Sequence, residues 1–128
     1  MSKVILLAED DEDNRDLVQF VLMRSKMDIE LVVAENGEAA VKLAKERTPD
    51  LILMDMQMPV MDGWTAVPLL KEDNQTKEIP VIAFTAQAKP EDRARTRKIG
   101  CVEHYTKPMD PEELLALIQK YLNMQAPA

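Results

Sequence analysis

Three carboxylates follow apolar runs in the first half of this 128-residue sequence and could act together. Glu9 and Asp10 come directly after the run VILLA, and Asp55 comes directly after LILM. Two such charges about 4 Å apart repel by roughly 4 kcal/mol at an effective dielectric near 20, so a shared pocket favours a counter-charge. Few ligands, all of them oxygen, are typical of Mg²⁺. The sequence therefore predicts a Mg²⁺ site containing these carboxylates.

Asp55 could also act as a nucleophile that accepts a phosphoryl group. Thr85 follows the apolar run VIAF, and Lys107 follows the weaker run VEHY by one residue. A hydroxyl and an ammonium group can both bind phosphoryl oxygens. Considered alone, Thr85 could be an ordinary turn residue and Lys107 an ordinary solvated charge. The prediction that they bind phosphoryl oxygens therefore depends on both residues lying at strand ends.

The acidic residues that follow Asp10 have a simpler explanation. Asp11, Glu12 and Asp13 are typical of a helix N-terminus, where negative charge interacts favourably with the helix dipole. We expect these three to belong to the helix rather than to the metal site.

Five apolar runs at fairly even spacing predict the strands that would position these groups. Amphipathic stretches lie between the runs, and strand–helix alternation repeated five times predicts a parallel sheet with helices on both faces. Ligands of such α/β sheets bind beyond the carboxyl ends of the strands, where the polar residues are expected. The predicted strands are Val4–Ala8, Leu31–Ala34, Leu51–Met54, Val81–Phe84 and Val102–Tyr105.

Helix boundaries are predicted from capping residues and prolines. Asp110, Pro111 and Glu113 form a capping-box pattern before the last amphipathic stretch, and Pro90 can open the fourth helix. Pro68 would be costly deep inside a helix, so we expect the third helix to begin late, with Thr65 as its N-cap, and to be short.

Composition excludes several other classes of protein. The net charge of −7, from 23 acidic and 16 basic residues, argues against direct nucleic-acid binding. A single cysteine excludes an internal disulfide. No apolar run approaches the length of a membrane span, and the N-terminus is unlike a signal peptide, so we expect a cytoplasmic protein without membrane contact. Residues 1–128 are expected to form a single domain, with a core of about 3–122.

Four segments together resemble the receiver domain of two-component response regulators. They are ILLAEDD, PDLILMDMQMPVMDG, IPVIAFTA and YTKPMDPEELL, and the resemblance covers about residues 3–122. It implies a flavodoxin-like, doubly wound sheet of five parallel strands in the order 2-1-3-4-5, with five helices. The initial Met-Ser-Lys and the short tail favour a stand-alone receiver over an excised domain.

The resemblance also assigns roles to single residues. Asp55 is similar to the family's phosphoacceptor, and Asp10 to its direct Mg²⁺ ligand, with Glu9 acting mainly through water. Gln57 occupies the position at which the family supplies a backbone carbonyl to the metal. Thr85 resembles the hydroxyl that moves towards the phosphoryl group, and Lys107 the family's lysine, followed by a cis bond to Pro108.

The family relationship implies partners and little enzymatic activity. The phosphoryl group would come from a histidine kinase or a histidine phosphotransfer protein, and phosphorylation would change the affinity for a downstream protein that the sequence does not identify. The domain would catalyse only its own phosphotransfer and slow self-hydrolysis.

One switch position departs from the family pattern. The family often has Tyr or Phe three residues before the lysine, where this chain has His104. Alternate strand residues face opposite sides, so Tyr105 should not replace it directly. We therefore expect His104, together with Thr85, at the switch.

Three alternative functions remain open. An aspartate-dependent phosphohydrolase would use the same nucleophile but needs a second acid nearby, and the residue two past Asp55 is Gln57. An FMN carrier would need a phosphate-binding loop where this chain has five acidic residues. A degenerate receiver could act as a scaffold, but Asp10, Asp55, Thr85 and Lys107 are all present.

Overall fold

The computed structural model describes residues 2–86 and 89–123, and within them five strands alternate with five helices. The strands are β1 (Lys3–Ala8), β2 (Ile29–Ala34), β3 (Leu51–Asp55), β4 (Val81–Thr85) and β5 (Glu103–Thr106). The helices are α1 (Glu12–Ser25), α2 (Gly37–Arg47), α3 (Gly63–Glu72), α4 (Pro90–Ile99) and α5 (Pro111–Leu122).

The strands form one parallel sheet in the order β2-β1-β3-β4-β5. This confirms the predicted fold class and strand order. Strand β5 begins one residue later than the apolar run suggested, so Thr106 belongs to the strand and pairs in register with Thr85 of β4. Because all strands are parallel, their carboxyl ends lie along one edge of the sheet.

Both faces of the central strands are covered, which explains their unbroken apolar sequences. Side chains alternate between two cores. One core lies under α1 and α5, where Leu7, Leu53 and Phe84 are buried. The other lies under α2 and α3, where Leu6 and Met54 are buried.

Side-chain caps determine where three helices begin at the carboxyl edge of the sheet. Asp11 precedes α1 and accepts hydrogen bonds from the amides of Asp13 and Asn14 at 2.8 and 3.4 Å. Asn36 caps α2 in the same way, at 2.8 Å from the amide of Ala39. The expectation that Asp11 begins a helix is therefore confirmed.

Helix α3 begins earlier than predicted. Asp62, not Thr65, is the N-cap, and its carboxylate accepts a hydrogen bond of 2.9 Å from the amide of Thr65. The helix runs from Gly63, so Pro68 lies inside it rather than in its first turn. The prediction was wrong because the Asp62 cap and the packing of Gly63 against Asp55 and Met56 outweigh the hydrogen-bond donor that Pro68 lacks.

Helix α5 begins where predicted, but without the predicted capping box. Asp110 is at the N-cap position and makes no side-chain capping bond. The hydroxyl of Tyr105 lies between the two partners instead: it accepts a 2.9 Å hydrogen bond from the Asp110 amide and donates one of 2.8 Å to Glu113. A residue of β5 thus takes the place of the local cap.

Helix α4 begins at Pro90 as expected, and its packing is mainly polar. Thr96 is the one residue of α4 that is buried. The Arg95 guanidinium lies 4.0 Å from the centre of the Trp64 ring in α3. Gly100 ends the helix with a φ of 115°, a conformation that favours glycine. Within the described residues, no helix has the length and apolar character needed to cross a bilayer.

Candidate functional site

Asp55 is the last residue of β3, and its side chain is only 6% exposed at the carboxyl edge of the sheet. Its Oδ1 accepts a 3.0 Å hydrogen bond from the backbone amide of Gln57, which orients the carboxylate. Between these two residues, the backbone amide of Met56 donates a 2.9 Å hydrogen bond to the Phe84 carbonyl of β4. Hydrogen bonds therefore hold both the Asp55 carboxylate and the backbone that follows it.

Gly63 allows α3 to approach this backbone closely. A Cβ at this position would lie 2.9 Å from the Asp55 carbonyl oxygen and 2.6 Å from the sulfur of Met56. Real side chains do not tolerate such distances, so glycine is required by the packing here. The start of α3 is in this way fixed directly against Asp55.

Lys107 brings a positive charge to the carboxylates from the end of β5. Its Nζ lies 2.8 Å from Oε1 of Glu9 and 3.1 Å from Oδ2 of Asp55. The Lys107 amide donates to the Thr85 carbonyl at 2.8 Å, which continues the β4–β5 ladder by one residue. The bond from Lys107 to Pro108 is cis, as the resemblance implied.

The three predicted carboxylates lie together. Glu9, Asp10 and Asp55 each offer an oxygen within 4.8 Å of the others; Glu9 and Asp55 are buried and Asp10 is exposed. Adjacent strands β1 and β3 bring them to one place, since Ala8 and Met54 are in register. A set of carboxylate oxygens open to solvent on one side fits a hard divalent cation that keeps several water ligands.

Electrostatics within the pocket oppose full ionisation of the acids. Burial raises the pKa of Glu9 to about 7; the neighbouring Asp55 acts in the same direction and Lys107 acts against both. Burial acts to lower the pKa of Lys107, but its bonds to Glu9 and Asp55 raise it above its ordinary value. Lys107 is therefore charged and supplies part of the counter-charge that sequence reasoning assigned to a metal alone.

The remaining predicted residues lie near this pocket. Thr85 is buried at the end of β4, next to β3 and Asp55. Gln57 is exposed just beyond Asp55, and its backbone amide donates the hydrogen bond to the Asp55 carboxylate. The roles of the Gln57 carbonyl in metal binding and of Thr85 in switching stay predictions.

His104 and Tyr105 face opposite sides of the sheet, as predicted. Tyr105 packs against Phe84 with ring centres 5.5 Å apart, in the core under α1 and α5. His104 lies on the other face, where its Nδ1 is 3.3 Å from the hydroxyl of Thr96 in α4. His104 therefore links β5 to α4, and its role as a switch stays a prediction.

Sequence reasoning missed two residues beside the site. Arg15 donates a 3.2 Å hydrogen bond from Nη1 to the Glu9 carbonyl and so ties α1 to the end of β1. Thr106 faces Thr85 in register, and its Oγ1 is buried without a hydrogen-bond partner among the described residues. The start of α1 could have indicated Arg15, but Thr106 requires the β4–β5 register, which no local pattern gives.

Comparisons with known proteins place this geometry in a family. The family model for the response regulator receiver domain matches residues 5–119. The polar-differentiation response regulator DivK of Brucella anthropi is 38% identical and is aligned over 95% of this chain and 98% of its own length.

The phosphate regulon transcriptional regulatory protein PhoB of Klebsiella pneumoniae is 37% identical over 99% of this chain, which spans 55% of PhoB. Among solved structures, the receiver domain of the sensor histidine kinase PA1611 from Pseudomonas aeruginosa has a TM-score of 0.86 and 28% identity. That match covers 96% of this chain and 99% of the other, and the PA1611 domain holds a magnesium ion in its active-site cleft. The chain belongs to the response regulator receiver domain family.

Proposed function

We propose that this chain is a phosphorylation-controlled signalling module of a two-component phosphorelay. It accepts a phosphoryl group on Asp55 from a histidine kinase or a histidine phosphotransfer protein, with Mg²⁺, and then changes its affinity for a downstream protein. The observation that carries the proposal is the setting of Asp55: buried, oriented by the Gln57 amide, and within 3.1 Å of the Lys107 ammonium.

The carboxylate of Asp55 is suited to attack phosphorus. One oxygen forms the new bond to phosphorus while the bond from phosphorus to the donor's histidine nitrogen breaks, and the released imidazole takes up a proton. The hydrogen bond from Gln57 holds the carboxylate plane during this exchange. Orientation of this kind reduces the entropic part of the barrier.

The acidic pocket would hold the cation. Glu9, Asp10 and Asp55 would bind Mg²⁺ through oxygen, and the bound ion would neutralise charge on the phosphoryl oxygens. The resemblance adds the carbonyl of Gln57 to this ligand set. Without the cation, Lys107 is the counter-charge that the described part of the chain places against the two buried carboxylates.

Phosphorylation of Asp55 would change the ion pairs of Lys107, the residue that follows β5. Phosphorylation puts a doubly charged group next to the Lys107 ammonium, whose present partners are Glu9 and Asp55. Lys107 follows β5, and β5 contacts α4 through His104 and Thr96. A shift of Lys107 towards the phosphoryl group can therefore alter the α4–β5 surface, which we propose as the part that changes partner affinity.

The proposal excludes turnover of external substrates beyond the chain's own phosphotransfer and slow self-hydrolysis. A phosphohydrolase of this kind would place a second acid two residues past the nucleophile as a general acid–base catalyst, and that position is Gln57. We assign the acids that do lie beside Asp55, Glu9 and Asp10, to the cation. The negative net charge argues against direct binding to nucleic acid, and we propose the cytoplasm as the location.

The direct test is phosphorylation by a small phosphodonor, acetyl phosphate, in the presence of Mg²⁺, followed by intact-mass measurement. We expect the gain of one phosphoryl group in the wild-type protein and none in Asp55→Asn or in chelator. Asp16→Asn, an exposed position on α1, is the matched control and should be phosphorylated normally.

Two results would contradict the proposal. Undiminished phosphorylation of Asp55→Asn would mean that another residue is the acceptor. Release of many equivalents of phosphate per chain from excess phosphodonor, at a rate far above that of self-hydrolysis, would favour the phosphohydrolase instead.

A further inference from the structure

Helix α4 concentrates positive charge in a chain whose net charge is −7. Its sequence, PEDRARTRKI, holds four bases against two acids. The guanidinium of Arg95 lies over the Trp64 ring. The other three bases, Arg93, Arg97 and Lys98, are exposed. The helix that contacts β5 therefore presents a positive surface on an acidic protein.

The three exposed bases have no bonded partner in the part of the chain that the structure describes. Neither an ion pair nor a side-chain hydrogen bond joins Arg93, Arg97 or Lys98 to a described residue. Exposed bases on α2 do pair with carboxylates, as Lys45 and Arg47 show. Guanidinium groups bind carboxylates through paired hydrogen bonds. The bases of α4 are therefore available to acidic groups from outside the chain.

The bases line a groove along the exposed face of α4. Arg93 and Arg97 are neighbours on this face, since residues four apart on a helix differ by about 6 Å along its axis. Ala94 lies between them, and the groove of about 500 Å³ is also lined by Lys98. Two carboxylates have a similar spacing when they are four residues apart on a helix or two apart on an extended chain. The groove therefore fits an acidic peptide segment.

A smaller cavity joins this basic face to β5. It has a volume of about 70 Å³, and its lining includes Arg93, Arg97 and His104. The Thr96 hydroxyl donates a 2.9 Å hydrogen bond to the Arg93 carbonyl and lies 3.3 Å from Nδ1 of His104. A displacement of β5 can therefore alter the position of Arg93.

The acids near the groove do not occupy its bases. Glu103 also lines the small cavity, but its carboxylate is 3.2 Å from the Lys120 ammonium and accepts a 2.7 Å hydrogen bond from the Tyr121 hydroxyl. Glu91 and Asp92 lie in the first turn of α4, where the helix dipole favours negative charge. The positive charge of the groove therefore stays available.

We propose that the basic face of α4, formed by Arg93, Arg97 and Lys98, binds an acidic segment of the downstream protein. The inference rests on the proposed function and deepens it, since it gives the chemistry of the partner that the α4–β5 surface recognises. The two guanidinium groups bind carboxylates of the segment, and the contact of α4 with β5 makes this binding depend on phosphorylation of Asp55. The negative charge of the rest of the chain repels such a segment, which confines it to this face.

The test uses a labelled synthetic peptide with pairs of glutamates four residues apart, and a second peptide with glutamine in their place. Fluorescence anisotropy measures the affinity of the full chain for each, with and without Mg²⁺ and beryllofluoride, an inorganic mimic of the phosphoryl group. We expect the glutamate peptide to bind and the glutamine peptide not to bind. The affinity for the glutamate peptide should differ by about fivefold or more between the two states.

Substitutions on α4 locate the binding site. Arg93→Gln and Arg97→Gln should each weaken binding of the glutamate peptide about twofold to fivefold, and the double variant about fourfold to twenty-fivefold. Arg24→Gln removes the same charge from an exposed arginine of α1 and should leave the affinity unchanged. The α4 variants should melt with the wild-type protein, because no bond within the described chain is lost.

Four results would overturn the inference while leaving the proposed function intact. They are absence of glutamate-peptide binding in both states, equal weakening by Arg24→Gln, tighter binding of a single-stranded oligonucleotide of equal charge, and equal affinity with and without the mimic in a protein that acetyl phosphate phosphorylates. A wild-type dimer in light scattering that the double variant dissociates would make a second copy the occupant, and would overturn it as well. Failure of acetyl phosphate to phosphorylate the wild-type protein would instead overturn the proposed function, and intact mass detects this independently of the peptide.

Discussion

Lys107 stabilises the site before any phosphoryl group is bound. Its ammonium is the counter-charge for two buried carboxylates, Glu9 and Asp55. Because the pair of acids would otherwise repel, the lysine stabilises the pocket before any cation or phosphoryl group is bound. Removal of the Lys107 ammonium should therefore destabilise the unphosphorylated protein.

We expect Lys107→Ala to lower the free energy of unfolding by about 1–3 kcal/mol in metal-free buffer at pH 8, since two buried carboxylates lose their partner. Asp55 remains, so phosphorylation by acetyl phosphate should stay detectable by intact mass, while the conformational response is lost. Denaturant titration measures the first effect, and Trp64 fluorescence with and without phosphodonor measures the second. Complete loss of phosphorylation in a folded Lys107→Ala protein would contradict this division of roles.

Glu9 makes the stability of the pocket depend on pH. Its pKa is about 7 in the folded protein and about 4.5 for an ordinary glutamate. The folded state therefore binds more protons than the unfolded state between these values, and the free energy of unfolding should fall as pH rises from 4.5 to 7. At about 1.4 kcal/mol per pH unit, the Glu9 contribution is at most about 3–4 kcal/mol.

The Glu9→Gln variant tests this assignment. In chelator it should lack the Glu9 part of the pH dependence and be more stable than wild type at pH 8, because a buried charge is removed. Denaturant titrations at pH 5 and pH 8 give the comparison, with Glu46→Gln on the exposed face of α2 as the control. A wild-type slope that survives in Glu9→Gln would assign the effect to another group.

The helices show how a strand residue can determine where a helix begins. In α5, the Tyr105 hydroxyl of β5 bridges the Asp110 amide and the Glu113 carboxylate. Tyr105→Phe keeps the ring packing on Phe84 but removes both bonds, and should lower the free energy of unfolding by about 1 kcal/mol. Phe84→Leu, measured beside it, reports the packing alone. Unchanged stability in Tyr105→Phe would mean that water replaces the hydroxyl at no cost.

Elements with local signals were predictable, and those determined by distant contacts were not. Apolar runs identified all five strands. Those of β1, β3 and β4 are continuous because these strands are buried on both faces, whereas the weaker run of β5 contains Glu103 and His104. The start of α3 was missed because it depends on Gly63 packing against Asp55 and Met56. The α5 capping box failed for a similar reason, since Tyr105 competes for both of its partners.

The candidate site shows the same division. Carboxylates at strand ends could be found from spacing, because parallel strands bring their carboxyl ends to one edge. The strand order itself came from the resemblance to a family. The ion pair between Lys107 and Glu9 joins residues 98 positions apart, and the placement of Thr106 beside Thr85 depends on strand register. Neither leaves a local trace in the sequence.

Across the whole molecule, apolar burial is distributed unevenly. Helices α1 and α5 pack on the sheet through a core that includes Val18, Leu22, Leu114 and Ile118. Helix α4, near the other edge, has Thr96 as its one buried residue. Segments with little apolar burial open locally at lower free energy than the core. The helix that touches His104 thus has the least buried surface to hold it in place.

We therefore expect the amides of α4 to exchange with deuterium faster than those of α1 and α5. Arg95→Ala removes the contact with Trp64, and an exposed cation–π interaction of about 0.5–1 kcal/mol corresponds to an increase in α4 exchange of roughly twofold to fivefold. Arg93→Ala, on the same helix but lining a groove beside it, is the control and should leave exchange unchanged. If Arg95→Ala raised exchange equally in α1, opening would be global rather than local. If α4 exchanged as slowly as α5 in the wild-type protein, its polar contacts would be as stabilising as an apolar core. The proposed response of the α4–β5 surface to phosphorylation would then need a different explanation.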